Sequence, residues 1–260
     1  MLGWSINLFR IRGIQLSVHA SFLLLLGYAA LSGWQEGGMS PMLISVTLLL
    51  AFFVCVVLHE LGHSFTAMKF GVKVRRILLM PIGGMAEMDS IPRQPARELL
   101  ITLAGPAVNF VIAAILAVIV GFPEGWRLFG FTDFADTTRG FFQLLLHWNL
   151  LMGCFNLLPV FPMDGGRILR ALLAARLPYL RATYVAATIG KVLAVIAAVI
   201  AAFVYHHFLT AFLFAFIFLA AEAEYQAVRR RDLDELYWRD VVPRAYGEPP
   251  LLKEPPVIGP

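Results

Sequence analysis

Between Phe52 and Met68 the chain reads FFVCVVLHELGHSFTAM, and three ionisable residues, His59, Glu60 and His63, sit inside an otherwise apolar stretch long enough to cross a bilayer. The spacing H-E-x-x-H puts two imidazoles on one helical face, four residues apart, where they can share a Zn²⁺. The glutamate between them is placed to handle the protons of a water that the metal activates. A soluble helix could show this pattern by chance and solvate all three side chains. An apolar spanning helix cannot, because each ionisable group near its centre costs roughly 2.5–3.5 kcal/mol on insertion scales. Three within five residues therefore need a compensating role. Metal binding supplies one, and the motif points to a zinc hydrolase.

The chain as a whole agrees with a membrane setting. Of its 260 residues, 59% are hydrophobic and only 15% charged, which is more apolar than soluble domains. The formal charge of +4 does not indicate nucleic-acid binding, because the basic residues cluster beside apolar runs, where they set topology. Cys55 and Cys154 define neither a disulfide framework nor a C-x-x-C metal site.

Taken in order, the chain reads as an all-α polytopic membrane protein with about six transmembrane helices. A short membrane-associated β-hairpin follows the second helix. Arg10 and Arg12 precede a first span over His19 to Trp34, read as an uncleaved helix since its apolar run exceeds that of a signal peptide. His19, near its charged end, reads as an interfacial hydrogen-bonding residue. The second span opens at Pro41, carries the motif and ends at Lys69. Ile77 to Met80, the Pro81 to Gly84 turn signal and Met85 to Met88 then form the hairpin, either an ordinary cytoplasmic one or a re-entrant element beside the metal.

The third span, Arg97 to Phe122, contains A-G-P-A-V-N at Ala104 to Asn109, where Gly105 and Pro106 allow close packing and a kink and Asn109 supplies an intramembrane polar group. The loop from Pro123 to Thr138 holds Glu124, Asp133 and Asp136 against one basic residue, Arg127, and reads as the non-cytoplasmic side. A fourth span passes His147 and Asn149 and breaks at the prolines and glycines of Asn156 to Arg167, leaving Asp164 on irregular backbone. Taken alone, that carboxylate reads as an N-cap for the helix beginning near Arg167. Thr183 to Tyr205 and Phe208 to Tyr225 complete the spans, with Lys191 snorkelling to an interface and His206-His207 read as solvated residues of the tight connection. These divisions give a transmembrane domain over 1–228 and a short cytoplasmic tail over 229–260. The basic residues fall on one side of the resulting topology, which places both termini in the cytoplasm of a multi-pass cell-membrane protein.

Catalytic zinc commonly takes three protein ligands and keeps one position open, so a third ligand must join His59 and His63. Asp164 is the best placed: the second and fourth spans run in the same direction, and both polar sites fall in their cytoplasmic halves. Transport offers a rival explanation for intramembrane ionisable groups and broken helices. A catalytically silent adaptor is a second rival, opposed by the intact glutamate.

With H-E-L-G-H on the second span, A-G-P-A-V-N on the third and N-L-L-P-x-x-P-x-D-G-G after the fourth, the chain resembles the site-2 protease family of intramembrane zinc metalloproteases, in a compact form without a PDZ or CBS domain. The resemblance covers roughly Arg12 to Tyr225. It implies a single catalytic Zn²⁺ bound by His59, His63 and Asp164, with Glu60 as the catalytic acid and base. It further implies site-shaping or substrate-binding roles for Asn109, Asn156, Pro159 and the hairpin glycines Gly83 and Gly84. The implied reaction is hydrolysis of a peptide bond in or near a transmembrane segment of a membrane-tethered substrate, with release of a cytoplasmic product. The partners are then a transmembrane protein substrate and the lipid bilayer, with no nucleic acid. The sequence carries no signal for oligomeric state.

Overall fold

A computed structural model describes residues 4–89, 92–121 and 138–240. The acidic loop assigned to the non-cytoplasmic side and the proline-rich end of the tail lie outside these residues. The chain divides into two compact units. The first comprises the residues up to Pro159 together with Met163–Arg176, and the second comprises Val160–Pro162 and the chain from Leu177 onward.

The first unit begins with strands β1 (Ser5–Ile11) and β2 (Ile14–His19), followed by helices α1 (Ala20–Gly37) and α2 (Met39–Lys69). Strands β3 (Val74–Met80) and β4 (Gly83–Met88) come next, then α3 (Pro95–Val120), α4 (Thr138–Asn156) and α5 (Asp164–Ala174). The four strands form one sheet in the order β1-β2-β3-β4. The chain is mostly helical, and it carries a four-stranded sheet where a single short hairpin was expected. β1 and β2 pair antiparallel through a turn at Arg12 and Gly13, both at positive φ, as a tight hairpin turn requires. β2 then pairs parallel with β3, Leu16 opposite Ile77 and Ser17 opposite Leu78. A parallel pair needs a long crossover, and α1 with α2 supplies it. β3 and β4 pair antiparallel from Val74–Met88 to Met80–Gly83.

Ile14, Leu16 and Val18 of β2 and Ile77 and Leu79 of β3 are buried in one core with Phe53, Val56, Leu61 and Ala67 of α2 and Ile101 of α3. The sheet thereby rests on the helix that carries the histidine motif. His19 caps α1, its side chain accepting from the Ser21 amide. Small residues bring the helices close. A Cβ on Gly33 of α1 would lie 2.7 Å from the Met42 Cα, and one on Gly62 of α2 would lie 2.7 Å from the Ala104 carbonyl oxygen of α3. Glycine is the residue that permits such backbone approach.

The second unit contains α6 (Tyr179–Val199), continued by a wider π turn over Ile200–Val204, and α7 (Phe208–Asp240). His206 and His207 occupy their connection. Lys191 has a partner: its Nζ bonds the Glu222 carboxylate on α7 at 2.8 Å, and Gln226 donates to the other carboxylate oxygen at 2.7 Å. Pairing within the hairpin offsets the cost of both charges. α7 runs through Arg229 without a break, so residues 229–240 extend a helix where a separate tail was expected to begin.

Among the described residues, four helices are long and apolar enough to cross a membrane: Met39–Lys69, Pro95–Val120, Tyr179–Val204 and Phe208–Trp238. α1 and α4, expected as two further spans, do not reach that standard. α4 carries His147 and Asn149 buried along its length, and α1 ends in the polar run Gln35-Glu36-Gly37.

Candidate metal centre

α2 has 31 residues, about 46 Å of helix, and it buries His59 and His63 on one face. α5 starts at Asp164. The structure brings these three side chains together: His59 Nε2 and His63 Nε2 are 3.1 Å apart, and Asp164 Oδ2 lies 3.1 Å from His63 Nε2 and 3.2 Å from His59 Nε2. Among the described residues this is the group of three metal-ligand side chains able to hold an ion.

The other ring nitrogens decide what the inner three atoms are. His63 Nδ1 donates to the Ile101 carbonyl at 2.8 Å, and His59 Nδ1 donates to the Asn109 amide oxygen. Each neutral imidazole carries one N–H, so both Nε2 atoms present lone pairs. With both rings neutral, these two atoms and the carboxylate oxygen are three acceptors facing one another. That arrangement repels itself unless a cation sits among them. The donor set also fits zinc in spacing, since bonds of about 2.0–2.1 Å in a tetrahedron hold ligand atoms about 3.3 Å apart.

The Asn109 amide is itself oriented. Its Nδ2 donates to Asn149 Oδ1 at 2.9 Å, and Asn149 Nδ2 donates to the Leu145 carbonyl at 2.8 Å. The relay runs from α2 through α3 to α4, fixing the His59 tautomer through two amides. Such outer partners set ring orientation and ligand basicity.

Three glycines let backbone reach the site. A Cβ on Gly105 would stand 2.1 Å from His63 Nε2 and 2.8 Å from His59 Nε2, so α3 can face the imidazoles only without a side chain there. A Cβ on Gly84 would meet Glu60 Cγ at 2.7 Å, which places β4 against the motif glutamate. A Cβ on Gly165 would meet the Leu158 and Leu157 carbonyl oxygens at 2.0 and 2.4 Å, so the turn that follows Asn156 folds onto the start of α5. Gly83, at φ +132°, opens β4 in backbone that favours glycine. Glu60 is half-buried beside the ligand group. Asn156 closes α4 and Pro159 follows in the turn.

A model of peptidase family M50 matches residues 47–138 and 132–197, a range that holds most of α2 and all of α3, α4 and α5, with every residue of the ligand group. The chain belongs to peptidase family M50. A zinc metalloprotease of Methanocaldococcus jannaschii is 43% identical over 198 residues, which are 75% of this chain and 53% of that one. Stage IV sporulation protein FB of Bacillus subtilis is 30% identical over 135 residues, 52% of this chain and 43% of its own length. The chain spans about half the length of the curated relatives it matches. The solved site-2 protease from Methanocaldococcus jannaschii is similar with a TM-score of 0.59 and 38% identity, over 85% of this chain and 95% of that one. The first of these relatives is named a zinc metalloprotease, and His59, His63 and Asp164 are the residues that fit zinc here.

Two charged residues that the sequence reading passed over belong to the same assembly. Glu98 of α3 and Arg170 of α5 are buried and bonded to each other, at 2.6 Å from Arg170 Nη2 and 2.8 Å from its Nε to one carboxylate oxygen. Asn149 was noted in the sequence but not joined to the histidines. A polar residue inside a span is the signal that marked it.

Proposed function

We propose that this chain is an intramembrane zinc metalloprotease. It hydrolyses a peptide bond in or near a transmembrane segment of a membrane-tethered protein and releases a cytoplasmic product. The observation that carries the proposal is the convergence of His59 Nε2, His63 Nε2 and Asp164 Oδ2 on an apolar helix, with Glu60 next to them. Those three side chains hold the metal, and zinc when bound supplies Lewis acidity toward a water and toward a peptide carbonyl. Glu60 accepts the water's proton and returns it to the leaving amine. Asn109 and the Ile101 carbonyl keep both imidazoles in the ligating tautomer.

A helical substrate hides its peptide bonds in backbone hydrogen bonds, so a segment must unwind to be cut. β4 is the last strand of the sheet, paired on one side with β3, and Gly84 lies against Glu60. The free edge of β4 receives the unwound segment by strand addition and delivers it to the glutamate. His59 and His63 lie about ten and six residues before Lys69, roughly 15 and 9 Å at the helical rise. This depth favours cleavage in the cytoplasmic half of the bilayer, in a six-span arrangement with both termini cytoplasmic.

Glu60→Gln tests the reading. In liposomes holding a transmembrane substrate, the variant is expected to keep its zinc and lose at least 10²-fold in cleavage. Terminal sequencing of the wild-type product locates the cut. Cleavage at the wild-type rate, or metal flux through a variant that never cleaves, would refute the proposal in favour of transport.

A further inference from the structure

One face of α3 touches the ligand group from end to end. Asn109 holds His59, Gly105 faces both imidazoles, and the Ile101 carbonyl holds His63. Glu98 continues the same stripe at three- and four-residue spacing, the pattern of neighbours on a helix surface. Its contact is with α5, the helix that opens with Asp164. Glu98 Oε1 accepts from both Nε and Nη2 of Arg170, and the two side chains are 0% and 3% exposed.

The third ligand has the weakest local hold. His59 and His63 are one turn apart on a 31-residue helix, whereas Asp164 is the first residue of an 11-residue helix entered through a turn. The carbonyls packed on Gly165 fix where α5 starts. They do not fix the direction in which it runs, and a small rotation about that end swings the carboxylate. Metal bonds accept errors of only about 0.2 Å. Arg170 lies six residues beyond Asp164, about 9 Å along α5, far enough away to set that direction.

We propose that the Glu98–Arg170 pair is a positioning clamp that aligns Asp164 with the two imidazoles by tying α5 to the face of α3 that orients them. A buried ion pair is a poor source of stability, because desolvation of both charges offsets their attraction. Its geometry is specific, because two guanidinium N–H groups aim at one oxygen. The clamp therefore acts on metal affinity more than on folding. It makes α3 the common reference for a ligand set drawn from two separate helices. This inference rests on the zinc-site reading above.

The test uses the full chain in lipid nanodiscs, with zinc affinity read by chelator competition, coordination geometry by the visible absorption of the Co²⁺-substituted protein, and folding by melting of the metal-free form. Glu98→Gln and Arg170→Lys are expected to weaken zinc 10- to 100-fold, as loss of an outer partner does, and to alter the Co²⁺ bands. The double variant Glu98→Leu with Arg170→Met is the deciding case. It is expected to melt at or above the wild-type temperature while zinc stays at least tenfold weaker. Wild-type zinc affinity in either single variant, or its return in the double variant along with stability, would reduce the pair to packing and overturn the clamp. Equal zinc binding by wild type and His59→Ala would instead overturn the metal site itself.

Discussion

Gly105→Ala puts one methyl group where the structure has least room for it. The added carbon would lie 2.1 Å from His63 Nε2, 2.4 Å from His63 Cε1 and 2.8 Å from His59 Nε2. Ordinary contact begins at 3.4 Å, so the His63 ring must retreat by about 1.3 Å or α3 must move away by as much. Ring retreat breaks the Ile101 hydrogen bond and exceeds the tolerance of a metal bond several-fold. Movement of α3 away from α2 pulls Asn109 and the Ile101 carbonyl off the two imidazoles they hold. Overpacking of this size costs about 1–3 kcal/mol of stability. The loss at the metal is larger in consequence: a displaced ligand is expected to lower zinc affinity by at least 10²-fold, equivalent to about 2.7 kcal/mol. Chelator competition on the purified membrane protein reads that number, and melting of the metal-free form reads the packing cost separately. If Gly105→Ala bound zinc within threefold of wild type, the approach of α3 to the imidazoles would not constrain the ligands, and the argument from convergent lone pairs would fail with it.

Asp164→Ala is expected to cut zinc occupancy to below a tenth of wild type at equal free zinc, together with activity, because a three-ligand site has lost its anion; undiminished occupancy by metal analysis would reject Asp164 as a ligand. Gly84→Ala presses on Glu60 without touching a ligand, so about a tenfold fall in kcat is expected at full zinc content, and loss of zinc instead would contradict that separation. Proline at Met85 or Ala86 removes a backbone donor from β4. Cleavage of a helical transmembrane substrate should then drop more than cleavage of a short unfolded peptide, and equal losses on both would remove strand addition from the mechanism.

The parts of the site legible in the sequence are those whose chemistry fits within one helical turn or one short motif. His59 and His63 declare their shared face by spacing alone, and Gly105 and Asn109 stand out as a small residue and a polar one on an apolar span. β1 and β2 were hidden because Arg10 and Arg12 read first as topology charges. Ile14, Leu16 and Val18 nevertheless alternate, and Arg12-Gly13 is a turn signal. No local pattern reveals that β2 pairs with β3 across two intervening helices. The helical content of residues 229–240 was equally masked, since a charged run after a span reads as solvated chain. Lys191 was assigned to an interface because its partner, Glu222, lies on another helix.

Charges near the ends of spans are where a sequence reading is most easily misled, and Glu98 with Arg170 show why. Arg170 belongs to the basic cluster from which the sequence suggests an orientation, and Glu98 lies in the first turn of α3, where an acidic residue suits the helix dipole. Each role is sufficient to explain its residue, so nothing in the sequence asks for a second one. Burial asks for it. A carboxylate at 0% exposure and a guanidinium at 3% have given up the water that makes a topological charge inexpensive. They lie on the two helices that must agree for Asp164 to meet His59 and His63, and α3 already sets both imidazoles through Ile101 and Asn109. A charge that serves only to orient a protein in the membrane has no reason to be buried against another helix, and one that registers two halves of a metal site does.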